Sequence, residues 1–510
     1  MIRKLVFLFV LLSASTYFAD AKTERVICYY GSWASYRPGN GQFTPEDIPA
    51  GYCTHLIYTF LGIDTSGNLK ILDSNLEIRL RGLERFNALK QKYPKLKTLI
   101  AVGGWNEGSA KYSVVAADSR KRATLIKSAI NFLETYGFDG FDIDWEYPGQ
   151  RDGSWSDKAN FAILLKEFRQ AFDKKGFILT AAVAAAAGSV DISYDVPALS
   201  KYLDSINVMA YDLHASYDGV TGANAPLYPS SVDRTPSAKS LTVDASIRGW
   251  IDRGADPQKI SLGLPMYGKT FTLVNPNSRS VGSIVSSAGI AGPYTQESGT
   301  LGYLEICEKQ KEGGWSIVWD ENTKTPYTYK GNQWIGYDNE DSIRAKVEYA
   351  KSLNLGGVMI WSVETIDAKG ICGKKIPLLS TIREVLNEQS GNDDDDNNEK
   401  PLPEPAPNPK PDGSDESDKD SSSNESKPSN ESKEDSKESE SSNESEGDDD
   451  NGRLCNRSGL VRDPKDCSVF YSCVPNGGDF IPFRFVCSNG LVFDKNVNSC
   501  NYRHLVDCGK

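Results

Sequence analysis

The sequence predicts an α/β fold in which eight parallel strands close into a (β/α)8 TIM barrel. Three observations predict it: a continuous region of suitable length at residues 22–390, eight short apolar runs within it, and amphipathic stretches of helical period between most of them. A region this long exceeds the usual single domain but is ordinary for an α/β barrel. Eight buried strands alternating with helices are the signature of that architecture. The first five runs are Val26–Trp33, Thr54–Ile63, Lys97–Gly104, Gly137–Glu146 and Phe177–Ala185. Ser205–Asp212, Ile260–Gly268 and Gly357–Glu364 complete the set. In Ala123–Tyr136, residues Leu125, Ile126, Ala129, Ile130 and Leu133 recur at helical spacing, with Lys127, Ser128 and Glu134 on the opposite side. A doubly wound open sheet is the alternative, but no Gly-rich phosphate loop follows the first run. After the seventh run, at about 270–337, Gly, Ser, Thr and aromatics predominate, with strand-like pieces at Ser316–Trp319 and Tyr327–Tyr329. This interval reads as a small α+β insertion beside the C-terminal mouth of the barrel.

The flanking segments differ in kind. Residues 1–21 read as a signal peptide: Arg3 and Lys4 form the basic start, Leu5–Leu12 the apolar core, and Ala19-Asp20-Ala21 the cleavage site. That apolar stretch is too short to span a bilayer and no other run is longer, so a secreted, extracellular chain with no membrane partner is expected. The ten cysteines fit an oxidising compartment. Residues 391–452 carry 22 acidic and 6 basic side chains and almost nothing able to build a core. They read as a disordered, self-repelling linker with a reach of roughly 40–50 Å. The rest of the chain holds 47 acidic against 51 basic residues, so no nucleic acid or acidic surface is implied as partner. Asn424, Asn430, Asn443 and Asn456 begin Asn-x-Ser sequons, so glycosylation is plausible. The last segment, 453–510, crowds six cysteines among Phe470, Tyr471, Phe480, Phe483, Phe485, Phe493 and Tyr502. So short a piece needs disulfides to fold. Spacing alone leaves fifteen pairings there, and three among Cys28, Cys53, Cys307 and Cys372.

Chemistry gathers at the ends of the predicted strands. After Tyr136-Gly137-Phe138 comes Asp139-Gly140-Phe141-Asp142-Ile143-Asp144-Trp145-Glu146. Alternation along a strand puts Asp142, Asp144 and Glu146 in one column and Phe141, Ile143 and Trp145 in the packing opposite. Three carboxyls on one buried face cost several kcal/mol unless they share protons, which points to chemistry. The other strands end in Trp33, in Gly103-Gly104-Trp105-Asn106, in Met209-Ala210-Tyr211-Asp212, in Tyr267 and in Trp361. Aromatic platforms beside carboxyls suit a carbohydrate, and the reaction would be glycoside hydrolysis. With His55, His214 and His504 the only histidines, neither a His-based metal site nor a Ser-His-Asp triad is expected, and no cofactor is implied.

Asp139–Glu146 resembles the DGxDxDWE signature of family 18 glycoside hydrolases, the retaining chitinases. The likeness runs from Cys28-Tyr29-Tyr30 through Met209-Ala210-Tyr211-Asp212 to Gly356-Gly357-Val358-Met359-Ile360-Trp361, and the pattern is similar to arthropod chitinases. The resemblance implies a substrate-assisted mechanism in which the substrate's acetamido group attacks the anomeric carbon and forms an oxazolinium ion. Glu146 would be the general acid, Asp144 would orient the acetamido group, and Asp142 would hold or share a proton with Asp144. Tyr211 would bond the acetamide carbonyl and Trp361 would floor the subsite of the reacting sugar. Gly103, Gly104, Trp105, Asn106, Tyr147, Met209, Asp212, Tyr267 and Trp33 would line the groove. The sequence departs from the family at Ala101 (usually serine), at Lys269 (often arginine) and at His214-Ala215-Ser216-Tyr217 (commonly His-Gly-Ser-Trp), where Tyr217 weakens an aromatic wall on the leaving-group side. A second family bridge would join Cys307 to Cys372, beside a Cys28–Cys53 staple.

Residues 453–510 resemble the peritrophin-A type chitin-binding domain, including Leu491-Val492-Phe493-Asp494, with a short first gap. That resemblance implies Cys455–Cys473, Cys467–Cys508 and Cys487–Cys500. The expected partners are therefore chitin polymer and chito-oligosaccharides, and the expected state is a monomer. A catalytically silent chitin lectin on the same barrel is the alternative; such relatives typically lose the acid, which here is present. An enzyme acting on N-glycans is disfavoured by the chitin-binding segment, since a soluble glycan needs no tether.

Overall fold

The computed structural model describes residues 23–387, 459–476, 479–487, 491–495, 499–503 and 506–508. The leader, the acidic tract with its three sequons, Asn456 and Cys455 lie outside the described residues. The chain divides into two compact units, Met1–Pro401 and Leu402–Lys510.

The first unit is a closed barrel of parallel strands: β1 (Arg25–Gly31), β2 (His55–Ile63), β3 (Lys97–Gly103), β4 (Gly140–Asp144), β5 (Ile178–Ala184), β6 (Ser205–Met209), β7 (Ile260–Pro265) and β8 (Gly357–Trp361). Each pairs in parallel with its neighbours in sequence, and β8 closes the ring on β1 through Arg25↔Gly357 to Cys28↔Ile360. Helices cover the outside because every strand carries an apolar outward set. Phe141 of β4 stacks on Phe168 at 5.5 Å, and Tyr30 and Tyr58 pack on Phe86.

The helix predicted from Ala123 begins earlier, at Ser119, because the Asp118 carboxylate accepts from the backbone N–H of Arg120 and Lys121 and caps it. It ends at Tyr136, where Gly137 takes the left-handed conformation and its N–H bonds Leu133 O. Leu125, Ile126, Ala129 and Leu133 are buried, as the period requires.

The seventh run does not continue to Gly268 as one strand. β7 stops at Pro265, and Tyr267–Leu273 belongs to a separate antiparallel sheet with Val285–Ala288, Thr300–Gly302, Ser316–Asp320, Thr325–Lys330 and Gln333–Gly336. With the helix Tyr303–Lys311 this is the α+β insertion, cored by Phe271 and Trp334 with ring centroids 5.3 Å apart. Disulfides join Cys28 to Cys53 and Cys307 to Cys372.

In the second unit Gly459–Arg462, Val469–Asn476 and Asp479–Val486 form an antiparallel sheet, and Leu491–Asp494 pairs with Ser499–Tyr502. Cys467 is bonded to Cys508. Cys473 and Cys487 are also in disulfides; the expected partner Cys455 lies outside the described residues, as does the side chain of Cys500. Phe470 stacks on the buried Phe493 at 4.4 Å, so these two rings serve packing.

Candidate active site

The inward face of β4 carries Asp142 and Asp144, both buried. Asp142 is held on three sides: Tyr29 OH donates to Oδ2 at 2.9 Å, Thr180 Oγ1 to Oδ1 at 2.5 Å, and Asn207 Nδ2 to Oδ1 at 3.4 Å. Asn207 also donates to Tyr29 OH at 2.9 Å and accepts from Ser205 Oγ at 2.9 Å. Burial pushes the Asp142 carboxyl up to about 6, against the pull of these donors. Asp144 lies one step nearer the mouth, and its Oδ1 is buried without a hydrogen-bond partner. Burial, then Glu146, then Asp142 hold its carboxyl well above the usual range.

Glu146 sits just past the end of β4, half-buried. Burial raises its carboxyl to about 7; a hydrogen bond with Tyr147 and the Arg151 charge oppose the rise, and Asp212 adds to it. Burial acts on both carboxyls and the Glu146 charge acts on Asp144, so protonated forms are favoured at the mouth of the barrel. Trp145 faces the other way, between Tyr112 and Phe161, and its Nε1 donates to Ser109 Oγ at 2.5 Å. Ser109 Oγ in turn donates to Tyr147 O at 2.7 Å, so the backbone on both sides of Glu146 is fixed.

The remaining expected residues form three groups on the same rim. In the first, Trp361 at the end of β8 meets Tyr29, Phe60 and Trp33 at ring separations of 5.7, 5.8 and 6.3 Å, and Trp33 is 41 % exposed. In the second, Tyr211 lies edge-on to Tyr267 at 6.1 Å with its hydroxyl 3.8 Å from Met359 Sδ, a weak acceptor. Asp212 Oδ1 there accepts from Tyr267 OH at 2.5 Å and pairs with Lys269 Nζ at 2.9 Å, tying the barrel rim to the insertion sheet. Met209 is half-buried at the end of β6.

The third group follows β3. A side chain on Gly103 would reach 2.0 Å from Asp144 O at a φ of +118°, so only glycine lets β3 approach β4 there, and Gly104 N donates to that oxygen at 2.8 Å. Trp105 and Asn106 stand exposed on the following turn. Tyr217, the departure at the other wall, is 78 % exposed and donates to Asp212 O at 3.3 Å.

Several residues of the site were not anticipated. Tyr29, Thr180 and Asn207 grip Asp142; Thr180 and Asn207 were visible as polar residues inside apolar runs. Arg151 is the second omission. Its guanidinium lies 3.6 Å from the Trp105 ring centre, and its Nη1 donates to Trp105 O at 2.8 Å and Glu146 O at 3.1 Å. Phe60 joins the Trp33–Trp361 wall. Among the described residues one cluster has metal-ligand composition, Cys307, Asp367 and Cys372. Its cysteines are bonded to each other, and Asp367 accepts from the N–H of Ile371 and Cys372 at 2.8 Å each, so its donors are already occupied. No helix of the described residues is long and apolar enough to cross a membrane.

This arrangement has relatives. Residues 455–508 match the family model for the chitin binding Peritrophin-A domain. The chain is 38% identical over 405 residues to an endochitinase of Manduca sexta, covering 77% of this chain and 73% of that one. The structure of the Ostrinia furnacalis Group IV chitinase in complex with allosamidin is 44% identical with a TM-score of 0.70, over 71% of this chain and 99% of that one. Human YKL-39, described as a pseudo-chitinase with retained chitooligosaccharide binding properties, is 38% identical with a TM-score of 0.66, over 71% and 99%. Residues 25–365 match the family model of the glycosyl hydrolases family 18, and with these relatives the chain belongs to that family.

Proposed function

We propose that the chain is a secreted, monomeric chitinase that hydrolyses β-1,4 linkages between N-acetylglucosamine residues of chitin and chito-oligosaccharides. It does so with retention, by substrate-assisted catalysis and without a cofactor. One observation carries this reading: Asp142, Asp144 and Glu146 ascend together to the mouth of the barrel, where burial favours their protonated forms. Glu146, raised to about 7, is a carboxylic acid at mildly acidic pH and donates its proton to the glycosidic oxygen as the bond breaks. The partnerless Oδ1 of Asp144 accepts the acetamido N–H of the reacting sugar and steers its carbonyl oxygen onto the anomeric carbon. Tyr211 donates to that carbonyl oxygen, and Trp361 underlies the ring. Water then opens the oxazolinium ion with Glu146, now ionised, as base. Asp142, fixed by Tyr29 and Thr180, shares the column's protons with Asp144 as charge redistributes.

Residues 22–390 are the catalytic part in this reading. Residues 453–510 are a chitin-binding tether joined to it by 391–452, and the disulfides fit an extracellular setting. A chitin lectin on the same barrel is the competing reading, since YKL-39 is described as binding chito-oligosaccharides as a pseudo-chitinase. Glu146 beside both aspartates favours the enzyme. Glu146→Gln keeps the shape and removes the proton donor, so hydrolysis should fall by several orders of magnitude while chitin binding persists. Turnover near the wild-type rate in that variant rejects the assignment.

A further inference from the structure

Trp155 is 93 % exposed, the highest value among the large apolar side chains of the described residues, and nothing in the mechanism above uses it. A loose loop would make this unremarkable, but the loop carrying it is pinned. The fully buried Asp157 carboxylate accepts from Ser154 N at 2.7 Å, Gly149 N at 3.1 Å and Ser113 Oγ at 2.7 Å. Ser154 Oγ and Ser156 Oγ bond each other at 3.0 Å on either side of the indole. Gln150 Nε2 donates to Ser193 Oγ at 2.9 Å, fastening the loop to the helix Ala187–Ser193. A rigid scaffold therefore holds an indole out into solvent.

The same loop is continuous with the groove. Arg151, four positions before Trp155, covers the Trp105 ring at 3.6 Å and bonds the carbonyls of Trp105 and Glu146. Four residues span at most about 14 Å of backbone, so Trp155 stays close to the Arg151 that is fixed on Trp105 and on the Glu146 carbonyl. An aromatic plane flanked by hydroxyls, outside the catalytic groups but connected to them through Trp105 and Arg151, has the make-up of a sugar-stacking platform.

We propose that Trp155 is an additional binding subsite for the carbohydrate chain, engaging N-acetylglucosamine units that extend beyond the Trp105 side of the groove. The proposal rests on the reading of the groove as a chito-oligosaccharide site. Oligomers long enough to reach the indole gain affinity from it, and short ones do not.

The test is Trp155→Ala in the full chain, with Trp155→Phe as the conservative control, assayed on N-acetylglucosamine trimer and hexamer. The alanine variant should raise KM at least fivefold for the hexamer and less than twofold for the trimer, with kcat little changed, and phenylalanine should restore part of the loss. An equal change at both lengths, or none, overturns the subsite. Sedimentation covers the other occupant: a wild-type dimer that Trp155→Ala dissolves would assign the indole to a second copy and reject the proposal. Calorimetric titration of both oligomers into Glu146→Gln, with and without Trp155→Ala, separates this inference from the enzymatic reading. Length-dependent loss of affinity with an inactive wild type refutes hydrolysis and supports the subsite. Active wild type with length-independent affinity refutes the subsite alone.

Discussion

Glu146 sets two expectations, one for rate and one for stability. In the proposed mechanism its proton is the catalytic one, and its carboxyl is raised to about 7 from an ordinary value of 4.5, so kcat/KM should fall as pH climbs through about 7. A pH profile checks this, and a rate still rising above pH 8 contradicts it. The same shift makes the native state bind that proton more tightly than the unfolded chain does. Its stabilising contribution is therefore complete below about pH 4 and is lost as pH rises through about 7. Glu146→Gln, which has no charge to desolvate, should be more stable than wild type at pH 8 and close to it near pH 4. Urea unfolding at the two pH values measures the difference; a Gln variant less stable at pH 8 would mean the carboxyl is not desolvated. Tyr29→Phe removes the donor to Asp142 Oδ2 and the acceptor of Asn207 Nδ2, and should cost about 2 kcal/mol in the same assay.

The carboxyl column was legible because alternation along one strand is a local property. Its supports were not: Tyr29 and Thr180 stand 113 and 38 positions from Asp142 and meet it only when the barrel closes. Register makes the point finely. Asp142 lies between Ala101 of β3 and Thr180 of β5, and Thr180 supplies the hydrogen bond that Ala101 cannot. Arg151 was hidden for a different reason, since its left-handed backbone (φ 51°) turns a charged loop residue back over Trp105.

At the scale of elements, all eight barrel strands fell on apolar runs, and the differences lie at their ends; β1 begins one residue before its run, at Arg25. The fourth run was read through Glu146, but the ladder stops at Asp144, where the chain turns into the rim loop. The seventh was read through Gly268 because apolar composition does not change at Met266. What changes is the partner: Met266 N donates to Trp361 O at 2.8 Å, and from Tyr267 the chain pairs antiparallel in the insertion sheet. The Cys28–Cys53 bridge ties the middle of β1 to the approach of β2 across 25 positions. Replacing both cysteines by alanine should lower stability by about 3 kcal/mol, measured by denaturant unfolding. A loss below 0.5 kcal/mol would show that the closed barrel alone restrains this loop.

For the whole molecule, the division of labour predicts that truncation near Gly391 leaves cleavage of short soluble oligomers almost intact. Turnover of insoluble chitin should drop at low loading, with the deficit shrinking as loading rises, because tethering raises local concentration without altering the chemistry. Loss on both substrates would make residues 453–510 structural rather than a tether. The central claim is that the substrate's own acetamido group is the nucleophile, so the anomeric carbon undergoes two displacements and keeps its configuration. The direct measurement is proton NMR of a chito-oligosaccharide digest in the first minutes, before mutarotation. The account predicts that the new reducing ends appear first as the β-anomer; an initial α-anomer would contradict it.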